Sequence, residues 1–473
     1  MKKNSLFFLL IVNLFFFIVY NIDYSLFFLQ FNISYIFLER LLYQSTRYGS
    51  TIFHPIPITC LILLFSFLIA PILSVGEGVY LFNAPKDIDW NYYLFILSLL
   101  YTLGIILFYL GAKYNLVAIK KNNIENFLFS YNKTKFVTIS LIFLIFSFVS
   151  QIFIFSKFGG VLGYLNSWTE DREQFDGLGI WYMIAEPFPV LLLIMLLILI
   201  GRDRILRNKY KWVIFLFILF FISKLIFGGF RGSRSNTIWG LFWFAGIVHL
   251  YLFKLKKIHY ILGAIFIFSF MSLYSIYKTY GVDSFSGNYS IEDTNRYSES
   301  PITEIYLGDF SRATINSYQL SQLYNTDYQY KYGQTYLYAV TMLLPGLNKL
   351  YDGYNKNSAG YEIVTGSKVY PSGDYHNSRV FGIYGEGLLN FNPLFSLFLF
   401  GFFGVVVAKL DNISRIYFSD NVFIFIIPFL GNLSFVALVS DSDNVIFFAF
   451  KNGFLIIVYL LVLHYFVFRK VKM

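Results

Sequence analysis

The stretch 212–253, WVIFLFILFFISKLIFGGFRGSRSNTIWGLFWFAGIVHLYLF, decides the fold. Two apolar runs, 211–228 and 235–253, flank a short turn, and the stretch 227–236 across it holds three glycines and two arginines. Each run is about as long as a helix needs to be to cross a hydrocarbon core. Inside lipid the backbone has to satisfy its own hydrogen bonds, and a continuous apolar run does so as a helix. The stretch therefore reads as a membrane helical hairpin. Charge is costly near lipid, so Arg231 and Arg234 in its turn call for a reason.

The same pattern repeats along the chain. Of its 473 residues, 57% are hydrophobic and only 14% charged, against about a quarter charged in soluble domains. Apolar runs at 5–21, 24–39, 54–73, 92–112, 134–156, 179–201, 211–228, 235–253, 258–277, 380–408, 421–440 and 445–468 predict about twelve transmembrane helices. The expected fold is an all-α integral membrane protein. The opening run lacks a small-residue cleavage site and reads as a retained helix rather than a signal peptide. The single cysteine, Cys60, excludes an intrachain disulfide. The five histidines form no zinc-type pair, and neither a metal nor any other cofactor is expected.

Charge orients the bundle. With both termini cytoplasmic, the inner segments hold 22 of the 37 Lys and Arg, whereas the outer ones hold 13, eight of them in one long loop. Cytoplasmic loops of membrane proteins collect basic residues, which accounts for the net charge of +10 without a nucleic-acid partner. This orientation places the Gly/Arg turn and a hydrophilic segment of about 100 residues outside. The chain then divides into helices one to nine (1–277), a large periplasmic loop (278–379) and helices ten to twelve (380–473).

Three outer regions carry candidate chemistry. In FGGFRGSRSN, 227–236, Gly228, Gly229 and Gly232 let the backbone bend, and the Arg231 and Arg234 forks suit phosphate oxygens. Lys224, seven residues before Arg231, is expected on the same helix face. The bland reading is that these cations reach toward lipid headgroups. The long loop is rich in Tyr, Ser, Asn and Gly, residues suited to stacking on and hydrogen-bonding sugars. In 370–395, YPSGDYHNSRVFGIYGEGLLNFNPLF, a helix starting near Ser378 would align Arg379, Gly382 and Glu386, and Pro393 would kink or break it. His376 and Glu386 are candidate proton acceptors, and the bland alternative is a salt bridge of Arg379 with Asp374 or Glu386. SDSDN, 440–444, caps a helix, with Asp443 and Lys451 placed to pair, and 170–173 reads as a solvated charge run.

On the Gly/Arg turn, the late outer loop and the stretch HNSRVFGIYGEGLLNFNPLFSLFLFGFFG, the chain resembles the Wzy-type polymerases of O-antigen and capsular polysaccharide, the oligosaccharide repeat unit polymerases. The resemblance implies a GT-C-like, metal-independent membrane glycosyltransferase of the bacterial inner membrane. Its donor and acceptor would be undecaprenyl-diphosphate-linked oligosaccharides, and its protein partners a chain-length regulator and a flippase. A departing diphosphate gains negative charge, which nearby cations stabilise. Arg231, Arg234, Lys224 and, as a third arginine, Arg379 are the expected diphosphate-binding residues. His376 or Glu386 would serve as base, or neither, with diphosphate departure and in-line sugar binding carrying the reaction. An O-antigen ligase, a flippase of lipid-linked oligosaccharide and a structural member of an export complex are the rival readings. A flippase should carry charges inside its bundle, facing a central cavity.

Overall fold

The computed structural model describes residues 25–80, 82, 84, 86–118, 129–166, 177–231, 234–280, 306–343, 353–368, 379–418, 420 and 422–470, together with 11, 13, 303 and 347. Across these the chain is helical apart from one short antiparallel ribbon, Phe129–Tyr131 with Phe468–Lys470. The ribbon holds the segment before one helix and the tail after the last helix at the same end of their bundle, and the sequence reading assigns both to one side of the membrane.

Seven helices among the described residues are long and apolar enough to cross a membrane: Pro55–Glu77, Trp90–Asn115, Lys133–Lys157, Gly179–Ile200, Lys257–Tyr274, Pro393–Tyr417 and Ser442–Phe466. The chain is thus multi-pass by length and composition, with seven helices meeting that test where the sequence predicts twelve. The first expected run falls almost wholly outside the described residues. The second belongs to a helix, Ser25–Arg47, and 421–440 contains the shorter apolar stretch Phe423–Val439. The hairpin that opens the sequence reading is present as helices Lys209–Ile226 and Arg234–Ile247, the latter continued by a π-turn to Leu252. The first of these carries three lysines in its 18 residues.

Two compact units divide the chain. Unit 1 comprises 1–118, 295–413 and 433–446. Its core includes a backbone-to-backbone crossing of two membrane helices. A Cβ on Gly111 would collide with the Gly401 carbonyl, and one on Gly404 with that of Phe108. Small residues permit such an approach in lipid, where packing rather than hydrophobic collapse holds helices together. Around this lie the helices of the long hydrophilic segment. These are α1 (Ala313–Asn325), α2 (Gln334–Thr341) and α3 (Lys356–Thr365). They pack with α4 (Gly382–Asn390).

The expected helix 380–408 is broken. It begins at Gly382, ends at Asn390, and restarts at Pro393. Asn392 caps the restart, accepting the Phe395 N–H at 2.7 Å, with Pro393 at the first helical position where it lacks no needed donor. Glu386 therefore sits on a separate nine-residue helix, ahead of the membrane span. Arg379 precedes that helix, so the predicted alignment of Arg379, Gly382 and Glu386 on one face does not occur.

Unit 2 comprises 119–294, 414–432 and 447–473. It holds the Gly/Arg turn and the helices that frame it.

Candidate functional site

In unit 2 the helix ends at Ile226, and Gly228 takes φ +119°, a conformation open to glycine. A 3₁₀ turn, Gly229–Arg231, follows, and Arg234 opens the next helix. The break separates Lys224 from Arg231, so the expected seven-residue spacing on one helix face is absent.

This turn is built into its surroundings. A Cβ on Gly228 would meet Asn236 Nδ2 and, at 2.9 Å, the Glu186 carboxyl carbon. The Tyr274 hydroxyl donates to the Gly229 carbonyl at 2.6 Å, and Tyr277 reaches that of Phe230 at 3.5 Å. Asn236 donates to Glu186 Oε2 at 2.6 Å, and Lys451 Nζ lies 2.6 Å from Glu186 Oε1. Glu186, Lys224, Asn236 and Lys451 are all buried. Lys224 does not reach outward to headgroups; its methylenes pack against Gly240. Lys451 sits in a π-turn, Ala449–Phe454, of the last helix. A cavity of about 10 Å³, room for roughly one water, is lined by Glu186, Lys224, Trp239, Trp243, Asn432 and Asn452.

The turn thus stands on a fixed polar platform. Arg234 is half-buried at the helix start. Arg231 has its backbone in the 3₁₀ turn, and its side chain lies outside the described set. Lys451 pairs with Glu186, and Lys224 lines the same small cavity as that carboxylate.

Unit 1 contains the second polar centre. Glu386 accepts the Thr335 hydroxyl at 2.8 Å and both the N–H and hydroxyl of Ser442 at 2.6 Å. Asn390 donates to Thr335 Oγ1 at 2.7 Å and to the Glu386 carbonyl at 2.9 Å. Asp441 Oδ1 accepts the N–H groups of Phe381 and Gly382 at 2.8 and 2.9 Å, capping α4. Its other oxygen takes Lys356 at 2.7 Å, and Asp443 stands 3.5 Å from the same ammonium. The expected Asp443–Lys451 pair is replaced by Lys356–Asp443 in unit 1 and Lys451–Glu186 in unit 2.

Burial pushes the Glu386 carboxyl up to about 7, and the negative charge of Asp441 adds to the rise, against the hydrogen bonds from Ser442 and Thr335. A raised carboxyl pKa stabilises the fold while the group is protonated. Its contribution is full below the ordinary value of 4.5 and is lost as pH rises toward 7. The thermal midpoint in detergent is expected to fall over that interval, and Glu386→Gln to flatten the fall. An unchanged slope in the variant would assign the dependence elsewhere.

Arg379, His376 and Asp374 are the remaining candidates. Arg379 is half-buried with its guanidinium 4.2 Å from the Phe82 ring centroid. Glu386 takes its hydrogen bonds from Thr335 and Ser442, not from Arg379. His376 and Asp374 fall in 369–378, outside the described residues. Lys224, Arg231 and Arg234 belong to unit 2, and Arg379 and Glu386 to unit 1.

Several polar residues were not among the sequence candidates: Glu186, Thr335, Lys356, Asp441 and Ser442. Glu186 had a signal, since it is a lone carboxylate inside the apolar run YMIAEPFPVLL, 182–192. Asp441 and Ser442 had one too, in the capping pattern SDSDN. Thr335 and Lys356 had none, because only tertiary packing brings them to their partners.

No family model, curated protein or solved structure matches the chain.

Proposed function

We propose that the chain is a membrane glycan polymerase. It moves a growing glycan from its undecaprenyl diphosphate carrier onto a second lipid-linked repeat unit at the periplasmic face of the bacterial inner membrane. The acceptor hydroxyl oxygen forms a bond to the anomeric carbon as the carbon–oxygen bond to the diphosphate breaks. The hydroxyl proton passes to solvent or to the departing diphosphate. Arg231 and Arg234 stabilise the charge that gathers on that leaving group.

The observation that carries this reading is the construction of the Gly/Arg turn. A loop whose arginines merely sought lipid headgroups would have no use for a backbone pinned by Tyr274 and seated on Asn236 and Glu186. A pinned turn holds its cations where charge develops, without reorganisation cost. Glu386, with both oxygens accepting hydrogen bonds in a buried site, ties α2, α4 and the start of the last helix together. The reaction is then driven by departure of the diphosphate and by alignment of the two sugars.

A transporter of the same lipid-linked glycan is the second reading. The buried Glu186, Lys224 and Lys451 favour it, because charges inside a bundle mark transport pathways. The cavity beside them, at about 10 Å³, is far smaller than a sugar, and that weighs for the enzyme. Liposomes holding the purified protein and lipid-linked repeat units are expected to yield a ladder of longer glycans and free undecaprenyl diphosphate. Movement of substrate between leaflets with no ladder would establish the transporter instead.

A further inference from the structure

Tyr332 has φ +46°, and among the described residues it is the one non-glycine with positive φ. An aromatic residue rarely adopts that conformation, and it persists only where the surroundings enforce it. Here they do. The N–H groups of Lys331 and Tyr332 donate to the Leu389 and Asn390 carbonyls at 3.0 and 3.1 Å, and Gly333 N donates to Asn390 Oδ1 at 3.0 Å. The loop is clamped on the C-terminal end of α4, yet the clamped ring packs into nothing: Tyr332 is 80% exposed.

Other tyrosines continue the surface. Tyr324, 62% exposed, lies 6.5 Å from Tyr93 between ring centroids, and Tyr92 is 54% exposed beside it. Tyr330 lies two residues before Tyr332 and packs its ring 6.1 Å from that of Tyr328 between centroids. Asn325, whose Nδ2 donates to the Tyr93 hydroxyl at 3.2 Å, and exposed Asp327 and Gln329 lie between Tyr324 and Tyr330 along the chain, and exposed Asp89 lies three residues before Tyr92. Lys331, the nearest cation in sequence, is buried against Glu362 at 2.6 Å.

We propose that Tyr92, Tyr93, Tyr324, Tyr330 and Tyr332 form a glycan-binding subsite in which pyranose rings stack on tyrosine faces and the interleaved amides take sugar hydroxyls. Exposed aromatic rings among planar hydrogen-bonding groups match the two sides of a sugar, an apolar face and a polar edge. The acidic residues favour neutral or amino sugars over uronic acids. The subsite deepens the polymerase reading and rests on it for the identity of the occupant. The competing occupant is the bilayer interface, where tyrosines also gather.

The probe is the oligosaccharide released by mild acid from the lipid-linked pool of the producing cells. Its binding to the full-length protein in nanodiscs is followed by saturation-transfer NMR. Wild type is expected to bind, Tyr332→Ala and Tyr324→Ala to weaken affinity roughly tenfold each, as lost aromatic contacts do, and Tyr332→Phe to bind as wild type. Tyr332→Gly separates function from folding. It relieves the backbone conformation, so its thermal midpoint should rise while affinity still falls. Unchanged affinity in Tyr332→Ala and Tyr332→Gly, or no binding by wild type, would overturn the subsite. So would quenching of Tyr332→Trp fluorescence by brominated lipids, which would place the band in the bilayer. A protein that binds the oligosaccharide through these tyrosines but forms no ladder would keep the subsite and discard the polymerase.

Discussion

Arg234→Ala is expected to cut glycan-ladder formation by roughly 10²–10³-fold, the loss seen when one donor to a developing oxyanion is removed. Arg231→Ala should do the same, because its backbone follows directly on the pinned Gly228–Phe230 segment. Gly228 is held at φ +119° against Asn236 and Glu186, and the Gly229 carbonyl is tied to Tyr274. Lysine at either position keeps the charge but loses the planar pair of donors, so Arg→Lys variants should recover only a small part of the rate. Arg202→Ala, an exposed residue away from the turn, serves as the control. The measurement is product length in liposomes at matched protein content. Ladders of normal length from both alanine variants would remove the arginines from the mechanism.

The second large effect is on stability. Lys451→Met is expected to destabilise the protein by about 3–5 kcal/mol, since it leaves the Glu186 carboxylate buried without the cation at 2.6 Å. Adding Glu186→Gln should restore much of that loss, because the glutamine needs no counter-charge and keeps an acceptor for Asn236. The thermal midpoint in detergent across the two single variants and the double gives the coupling. If the double variant is no more stable than Lys451→Met, the pair is not the source of the loss. Glu186→Gln alone also reports on the turn. Gly228 packs on that carboxylate, so ladder yield should fall in this variant even at temperatures where it is folded.

These outcomes bear on what was legible in advance. Membrane helices were legible because apolar length is a one-dimensional property: Trp90–Asn115 and Lys133–Lys157 cover the runs at 92–112 and 134–156. The Gly/Arg turn was legible as a turn, since glycine followed by arginine between two apolar runs has few other uses. The helix break at Pro393 was legible for the same local reason, as the ring removes a donor and fixes φ. The start at Gly382 was not, because it depends on a cap supplied by Asp441, 59 residues downstream. Glu386 was singled out by its place near an apolar boundary, and its surroundings of Thr335, Asn390 and Ser442 could not have been read from that place.

The sequence by itself determined that this chain is a helical membrane protein with polar segments between its apolar runs, because lipid admits few backbone solutions and apolar length selects among them. Only the tertiary structure decided which charges meet. Lys451 pairs with Glu186 and Lys356 with Asp441, rather than Lys451 with Asp443, because a buried ion takes the partner that packing delivers within hydrogen-bond reach, however far away it lies in the chain.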